Sequence, residues 1–200
     1  MLRSLVGSEM CIRDRIDTIR VGTGATGQDL DGLVETAKRV GTQVPASFDD
    51  IGTTVADINT RMGLTGPTLE KVASQFLELG RITGEEVDIG KTSAAFNAFG
   101  IEGEAVSGSL DRLYTVSQAT GIGVNDLASQ VSKAAPAVQA LGFSFDDTAA
   151  LVGNLDKAGL DSNRMMAAMS RSIVNLAKDG ESPADAFKRT TGEILSLIHI

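Results

Sequence analysis

Residues 141–147 read Leu-Gly-Phe-Ser-Phe-Asp-Asp, and how this stretch is taken decides the fold. Glycine tolerates the left-handed backbone that closes the last carbonyls of a helix, and the apolar residue after it can fold back onto the final turn. Ser144 then stands where a second helix needs its cap, and Asp147, three residues on, completes the spacing of a capping box. The acidic pair Asp146-Asp147 falls in the new first turn, facing the positive end of the helix dipole. The stretch therefore reads as a helix stop followed at once by a restart.

Working outward, the same device recurs as Gly63-Leu64-Thr65, Gly100-Ile101-Glu102, Gly121-Ile122-Gly123 and Gly159-Leu160-Asp161. Thr, Gly and Asp suit the third, capping position, and Glu suits it poorly. Between the stops, apolar residues follow helical spacing. Leu127, Ala128, Val131, Ala134, Ala135, Val138 and Leu141 form one continuous stripe, and Leu69, Val72, Ala73, Phe76 and Leu77 form another. No run alternates with period two. The pairs Asp49-Asp50 and Glu85-Glu86 are expected in first helical turns, as is Pro183 behind Ser182. Pro136 is expected to kink or split its helix.

These patterns predict helices near 28–40, 47–62, 67–82, 86–99, 104–119, 124–141, 145–158, 163–178 and 183–193. The fold class is all-α: a compact array of about eight or nine short amphipathic helices joined by tight loops with glycine stops. The stops are too irregularly spaced for a solenoid repeat. Residues 21–27 are expected to be loose.

The two ends read differently. The sequences Met10–Arg15 and Leu195–Ile200 can be encoded by complementary strands of one short DNA, as inverted synthetic tags would be. The run SLVGSEMCIRDR resembles translated sequencing-adapter DNA. Residues 1–15 and 195–200 are therefore expected to be non-native tags and carry no weight in reading the fold. The remainder divides into an N-terminal helical segment with a glycine-rich loop (16–60) and a helical domain (61–194).

Chemistry follows from that division, because Cys11 and His199 are the only cysteine and histidine and both lie in the ends. Between 16 and 194 there is no thiol nucleophile, disulfide, His-based triad or usual zinc ligand set. The formal charge is −8, and setting the ends aside makes the rest one unit more acidic. Such a surface repels phosphate backbones. No apolar run approaches the roughly 20 residues of a membrane span, and with aromatics at only 4% the core must be aliphatic.

Several residues invite a functional reading. Gly22-Thr23-Gly24-Ala25-Thr26-Gly27 is a literal G-x-G-x-x-G, but a dinucleotide site needs it between a parallel strand and a helix, and no second parallel strand follows. A flexible glycine-rich loop is the preferred reading. The acidic pairs Asp49-Asp50, Glu85-Glu86 and Asp146-Asp147 could serve acid-base chemistry only by converging across a cleft, and complementing helix dipoles is the simpler account. Met165, Met166 and Met169 could line a plastic groove for a partner helix, although Met at helical spacing more often fills a core. Ser170 and Ser172 lack a His partner, and nothing in the spacing singles out Lys133 or Lys178 as a base. No catalytic, cofactor-binding or metal-binding residue is assigned, no cofactor is expected, and the chain is expected not to be an enzyme.

Three runs, RMGLTGPTLEKVASQFLELGRITGEEV (61–87), LDRLYTVSQATGIGVNDLASQV (110–131) and APAVQALGFSFDDTAALVGNLDKAGLDSNRMMAAM (135–169), together resemble the helical region of bacteriophage tail tape-measure proteins. The run VPASFDDIGTTVADINTRMGLTG (44–66) also fits that pattern. The resemblance rests on the order and spacing of the TG breaks, the SQATGI stop, the LGFSFDDTAAL restart and the KAGL stop. It implies a structural role in phages or prophages: a template for tail length, around which tube subunits polymerise and which leaves the tail during genome delivery. Implied partners are further copies of the chain, tail-tube subunits and tail assembly chaperones. The implied location is the virion tail lumen, with the host cytoplasm during assembly. Tape-measure proteins convert residue count into length through extended helix, at about 1.5 Å per residue. The frequent glycine stops here argue instead for a folded module. A cellular helical interaction module with a Met-lined groove is the alternative.

Overall fold

The turn at 141–147 forms as its residues dictate. Gly142 takes φ 84°, its N–H donates to the Gln139 carbonyl at 2.9 Å, and the Phe143 N–H reaches back to the Val138 carbonyl at 3.2 Å. These paired bonds satisfy carbonyls that a helix end otherwise leaves open. The Ser144 hydroxyl accepts the Asp147 N–H, and the Asp147 carboxylate accepts the Ser144 N–H, both at 3.2 Å, which completes the capping box. Gly63, Gly100, Gly121 and Gly159, at the other four stops, also have positive φ. The apolar residue that follows is buried at Leu64 and Ile122, but Leu160 remains 47% exposed. Of the restart residues, Ser144 and Asp161 cap through their side chains, whereas Thr65 occupies the N-cap without a side-chain bond.

The computed structural model describes residues 16–177 and 180–198, so Cys11, Lys178 and His199 lie outside the described residues. Within these bounds the chain is all-α. The helices are α1 (16–23), α2 (Gln28–Gln43), α3 (Phe48–Met62), α4 (Gly66–Thr83), α5 (Ile89–Ala98), α6 (Ala105–Thr120), α7 (Val124–Gln139), α8 (Phe145–Lys157), α9 (Ser162–Leu176) and α10 (Pro183–Ile198). No strand occurs among the described residues.

Three local differences from the sequence reading have physical reasons. Helix α1 extends through Thr23, into the stretch expected to be loose. The buried Ile19 anchors it by tertiary packing, its side chain lying against Gly52 of α3. Helix α5 starts at Ile89 because the Asp88 carboxylate accepts the Lys91 N–H at 3.0 Å, which leaves Glu85 and Glu86 in the preceding loop. Pro136 does not split α7. It stands in the last turn, and the helix continues to Gln139.

Backbone contacts divide the chain into two units. Among the described residues, the first comprises 16–93 together with Ile101–Leu110, and the second comprises Ala94–Gly100 with those from Asp111 onward. In the first unit α2, α3 and α4 pack pairwise, with Val40, Ile51, Val55, Ile58, Leu69 and Val72 fully buried between them. Each such side chain removed from water contributes about 1.5–3 kcal/mol before the entropy of ordering is subtracted. Polar groups join the same helices at their edge: Arg39 and Gln43 of α2 both donate to the Glu70 carboxylate of α4 at 2.6 Å.

In the second unit α7 packs on α8 and α9, α8 also meets α9, and α10 lies on α9. The scarce aromatics concentrate here. Phe145 makes edge-type contacts with Phe96 and Phe99 at centroid distances of 5.4 and 5.7 Å, and Phe143 meets Phe187 at 5.3 Å. Such pairs are worth about 0.5–1.5 kcal/mol beyond their area. A small satellite core of Leu141, Ile173 and Ala186, flanked by Phe143, Met169 and Phe187, seats α10.

Candidate functional site

The glycine row at 22–27 joins two helices. Gly22 and Thr23 finish α1, Thr23 Oγ1 donates to the Ile19 carbonyl at 2.7 Å, and Gly27 with φ 59° is the N-cap of α2. A strand is missing from the position a dinucleotide site requires, so the literal G-x-G-x-x-G does not form that loop. Gly22 has another role: a Cβ there would stand 2.9 Å from the Cβ of Ala56, and the bare backbone lets α1 approach α3.

The methionines separate. Met166 is 2% exposed, Met169 packs in the satellite core and Met165 is 46% exposed, so the three do not line one groove. Ser170 is half-buried on α9 and Ser172 is exposed. Lys133 lines a small polar recess with Asp126, Asp156 and Asp161. Among the described residues no group of three or more His, Cys, Asp or Glu is arranged to hold a metal ion. No helix there is long and apolar enough to cross a membrane.

The acidic pairs serve different ends. Asp146 and Asp147 stand in the first turn of α8, where Asp147 belongs to the capping box and Asp146 faces Arg112 at 3.4 Å. The Ser144 hydroxyl, followed by the Ser144 backbone N–H, holds the Asp147 carboxyl below its ordinary range. Asp49 and Asp50 stand in the first turn of α3, where Ser47 accepts the Asp50 N–H at 3.1 Å and donates its hydroxyl to Asp50 Oδ2 at 2.6 Å.

Asp50, Glu85 and Glu86 line one groove of about 600 Å³ in the first unit. One wall is α3, whose Asp50, Thr54 and Asp57 share a face by helical spacing, preceded by the Pro45–Ser47 turn. The opposite wall is the end of α4, and the loop 84–87 closes one side. That loop is pinned. Gly84, at φ 73°, ends α4, the Thr83 hydroxyl donates to the Leu79 carbonyl at 2.8 Å and to the Glu85 carbonyl at 3.1 Å, and Val87 is buried. Phe76, Leu77 and Val87 give the lining an apolar share.

Arg81 is the one cation among the described residues lining the groove, and its guanidinium is engaged twice by Glu78 of the same helix. That bond lowers the Glu78 pKa and raises that of Arg81, as expected for mutual neutralisation. The carboxylates of Asp57 and Glu85 make no hydrogen bond or ion pair among the described residues. The groove thus combines a partly apolar lining with a rim of net negative charge. In the sequence Asp50, Glu85 and Glu86 stand only as members of adjacent acidic pairs, and their place on one groove depends on how α3 meets α4 and on Asp88 starting α5 late.

A family model described as phage-related minor tail protein matches residues 34–197. No curated protein and no solved structure matches the chain.

Proposed function

Since the chain belongs to the phage-related minor tail protein family, we propose that it forms part of a tail tape-measure protein and acts structurally, without catalysis, in tail assembly and the setting of tail length. The match over residues 34–197 carries the reading, because it spans all three runs that resemble tape-measure proteins and ties them to phage tails. The proposed partners are other copies of the chain, tail-tube subunits and tail assembly chaperones. The proposed locations are the tail lumen of the virion and, during assembly, the host bacterial cytoplasm.

The physical division of labour is as follows. An uninterrupted helix gains about 1.5 Å per residue and can serve as a ruler. A chain whose helices end at left-handed glycines and bury their apolar faces on one another gains no such length per residue. We assign to this region packing, contacts between copies or a role at one end of the tail, and assign measurement to longer helices of the same protein. The rival reading, a cellular module holding a partner helix on a methionine surface, loses support because Met166 and Met169 are committed to packing.

An in-frame deletion of residues 61–178 in a phage encoding this region tests the proposal by electron microscopy of the particles. Defective or misassembled tails are expected. Normal tails of unchanged length would refute a role in assembly, and tails shortened strictly in proportion to the residues removed would refute the division of labour.

A further inference from the structure

We propose that the groove between α3 and α4 binds a cationic amphipathic segment of another protein, placing Lys or Arg side chains on the carboxylate rim and apolar side chains against Phe76 and Val87. The inference stands on the groove itself and does not depend on the tape-measure reading.

Charge selects the occupant. Asp50, Asp57, Glu85 and Glu86 line the groove, and Arg81, the single cation among the described residues lining it, is neutralised by Glu78. An anionic ligand would be repelled. A wholly apolar helix would strip water from the carboxylates of Asp57 and Glu85 and give nothing back, which is costly for charged groups. A metal ion lacks a converging ligand set among the described residues. A second copy of the chain, itself carrying a formal −8, would approach against like charge. A Lys- or Arg-bearing segment meets both demands, because the long aliphatic stems of these residues cover apolar surface while their charged ends reach the rim.

Geometry narrows the match. Asp50 and Asp57 are seven residues apart on α3, about 10 Å along the axis, which is the separation of side chains at i and i+7 on a partner helix. The rim is set in advance. Ser47 fixes the start of α3 beneath Asp50, and Thr83 fixes the loop that carries Glu85. Binding therefore orders little of the receptor, and the charges steer the approach in a way that salt weakens.

The test is an NMR titration of the full ¹⁵N-labelled chain with an Ala-rich helical peptide carrying two Lys seven residues apart and Leu between them. A control peptide has Glu in place of both Lys. Shifts confined to the start of α3, the end of α4 and the loop 84–87 are expected. Binding should weaken about tenfold in the Asp57→Asn/Glu85→Gln variant, and similarly in high salt. Both substitutions are of exposed or half-buried groups, and the variant's unperturbed spectrum away from the groove verifies its fold. The proposal is overturned if the Lys peptide leaves the groove resonances unmoved, if the control peptide binds equally well, or if the variant binds as tightly as the parent. It is overturned equally if the same resonances shift on concentrating the protein alone, which would give the groove to a second copy.

Discussion

Asn59 reaches across the stop that ends its own helix: its side-chain Nδ2 donates to the carbonyl of Leu64 at 2.9 Å, while the Asn59 carbonyl accepts the Gly63 N–H at 2.9 Å. The second unit repeats the arrangement at Ser117, whose hydroxyl donates to the Ile122 carbonyl at 2.7 Å while its carbonyl accepts the Gly121 N–H at 2.8 Å. In each case the residue four positions before the glycine holds both sides of the turn, so the stop is fixed in angle as well as in place.

Removing that strap has a predictable cost. Asn59→Ala and Ser117→Ala each leave a carbonyl without its partner beside a buried side chain, and each is expected to destabilise by about 1 kcal/mol. Urea unfolding of the two variants checks this, and a loss indistinguishable from zero at both sites would mean that glycine alone fixes these turns.

The five stops, the capping box and the helical stripes were legible in the sequence because each is a local device: a left-handed glycine, a cap three residues from its amide, an apolar repeat near 3.6. What the sequence did not reveal is non-local. Ile19 of α1 is buried on α3, and the groove exists because two loops and two helix faces meet. Glu85 and Glu86 were expected inside a first turn because acids favour that place. The better local signal was Asp88, a cap placed three residues before Lys91, and it puts the two glutamates on the rim. Asn59 and Ser117 gave no advance sign, since polar residues near helix ends are common and only the folded turn shows what they reach.

Glycines inside helices separate into two kinds, and alanine should distinguish them. At Gly153 of α8 a Cβ would stand 2.8 Å from Val116 Cγ1 and 3.0 Å from Thr120 Cγ2 of α6. Both neighbours are β-branched and stiff, and the Thr120 hydroxyl is already bonded to the Val116 carbonyl at 2.7 Å. Gly153→Ala is expected to cost about 1–3 kcal/mol. At Gly108 of α6 a Cβ meets nothing within 4 Å, so Gly108→Ala should stabilise by about 0.5–1 kcal/mol. Thermal unfolding of the pair reads opposite signs.

Acid should weaken the fold through two identifiable carboxyls. The Arg39 guanidinium, followed by the Gln43 amide, holds Glu70 below its ordinary pKa, and Ser144 does the same for Asp147. A folded-state pKa below the unfolded one favours the fold while the group is charged. This contribution is complete above the unfolded values of about 4.3 for Glu and 3.9 for Asp, and is lost as pH falls through the lower folded values. Combining Glu70→Gln with Asp147→Asn should therefore reduce the loss of stability seen below about pH 4 while lowering stability at pH 7. An acid-unfolding profile of the double variant that parallels the parent would refute this assignment.

The last helix should be separable from the rest of its unit. Helix α10 rests on α9 through the small cluster of Leu141, Ile173 and Ala186, with Phe187 against Phe143, and the Arg189 guanidinium reaches Glu181 at 3.0 and 3.1 Å. The main core, around Leu127, Val131, Val152 and Met166, lies between α7, α8 and α9 and does not use these side chains. Truncating Phe187 to Ala removes the ring contact and part of the apolar cover, a loss of about 2–3 kcal/mol for a partly buried phenylalanine. Because opening free energies differ between regions of one fold, that loss should fall on α10 alone. Hydrogen exchange is expected to show amides 186–192 losing protection in Phe187→Ala while those of α7 and α8 keep theirs. Uniform loss across the unit would show instead that α10 and the main core open as one.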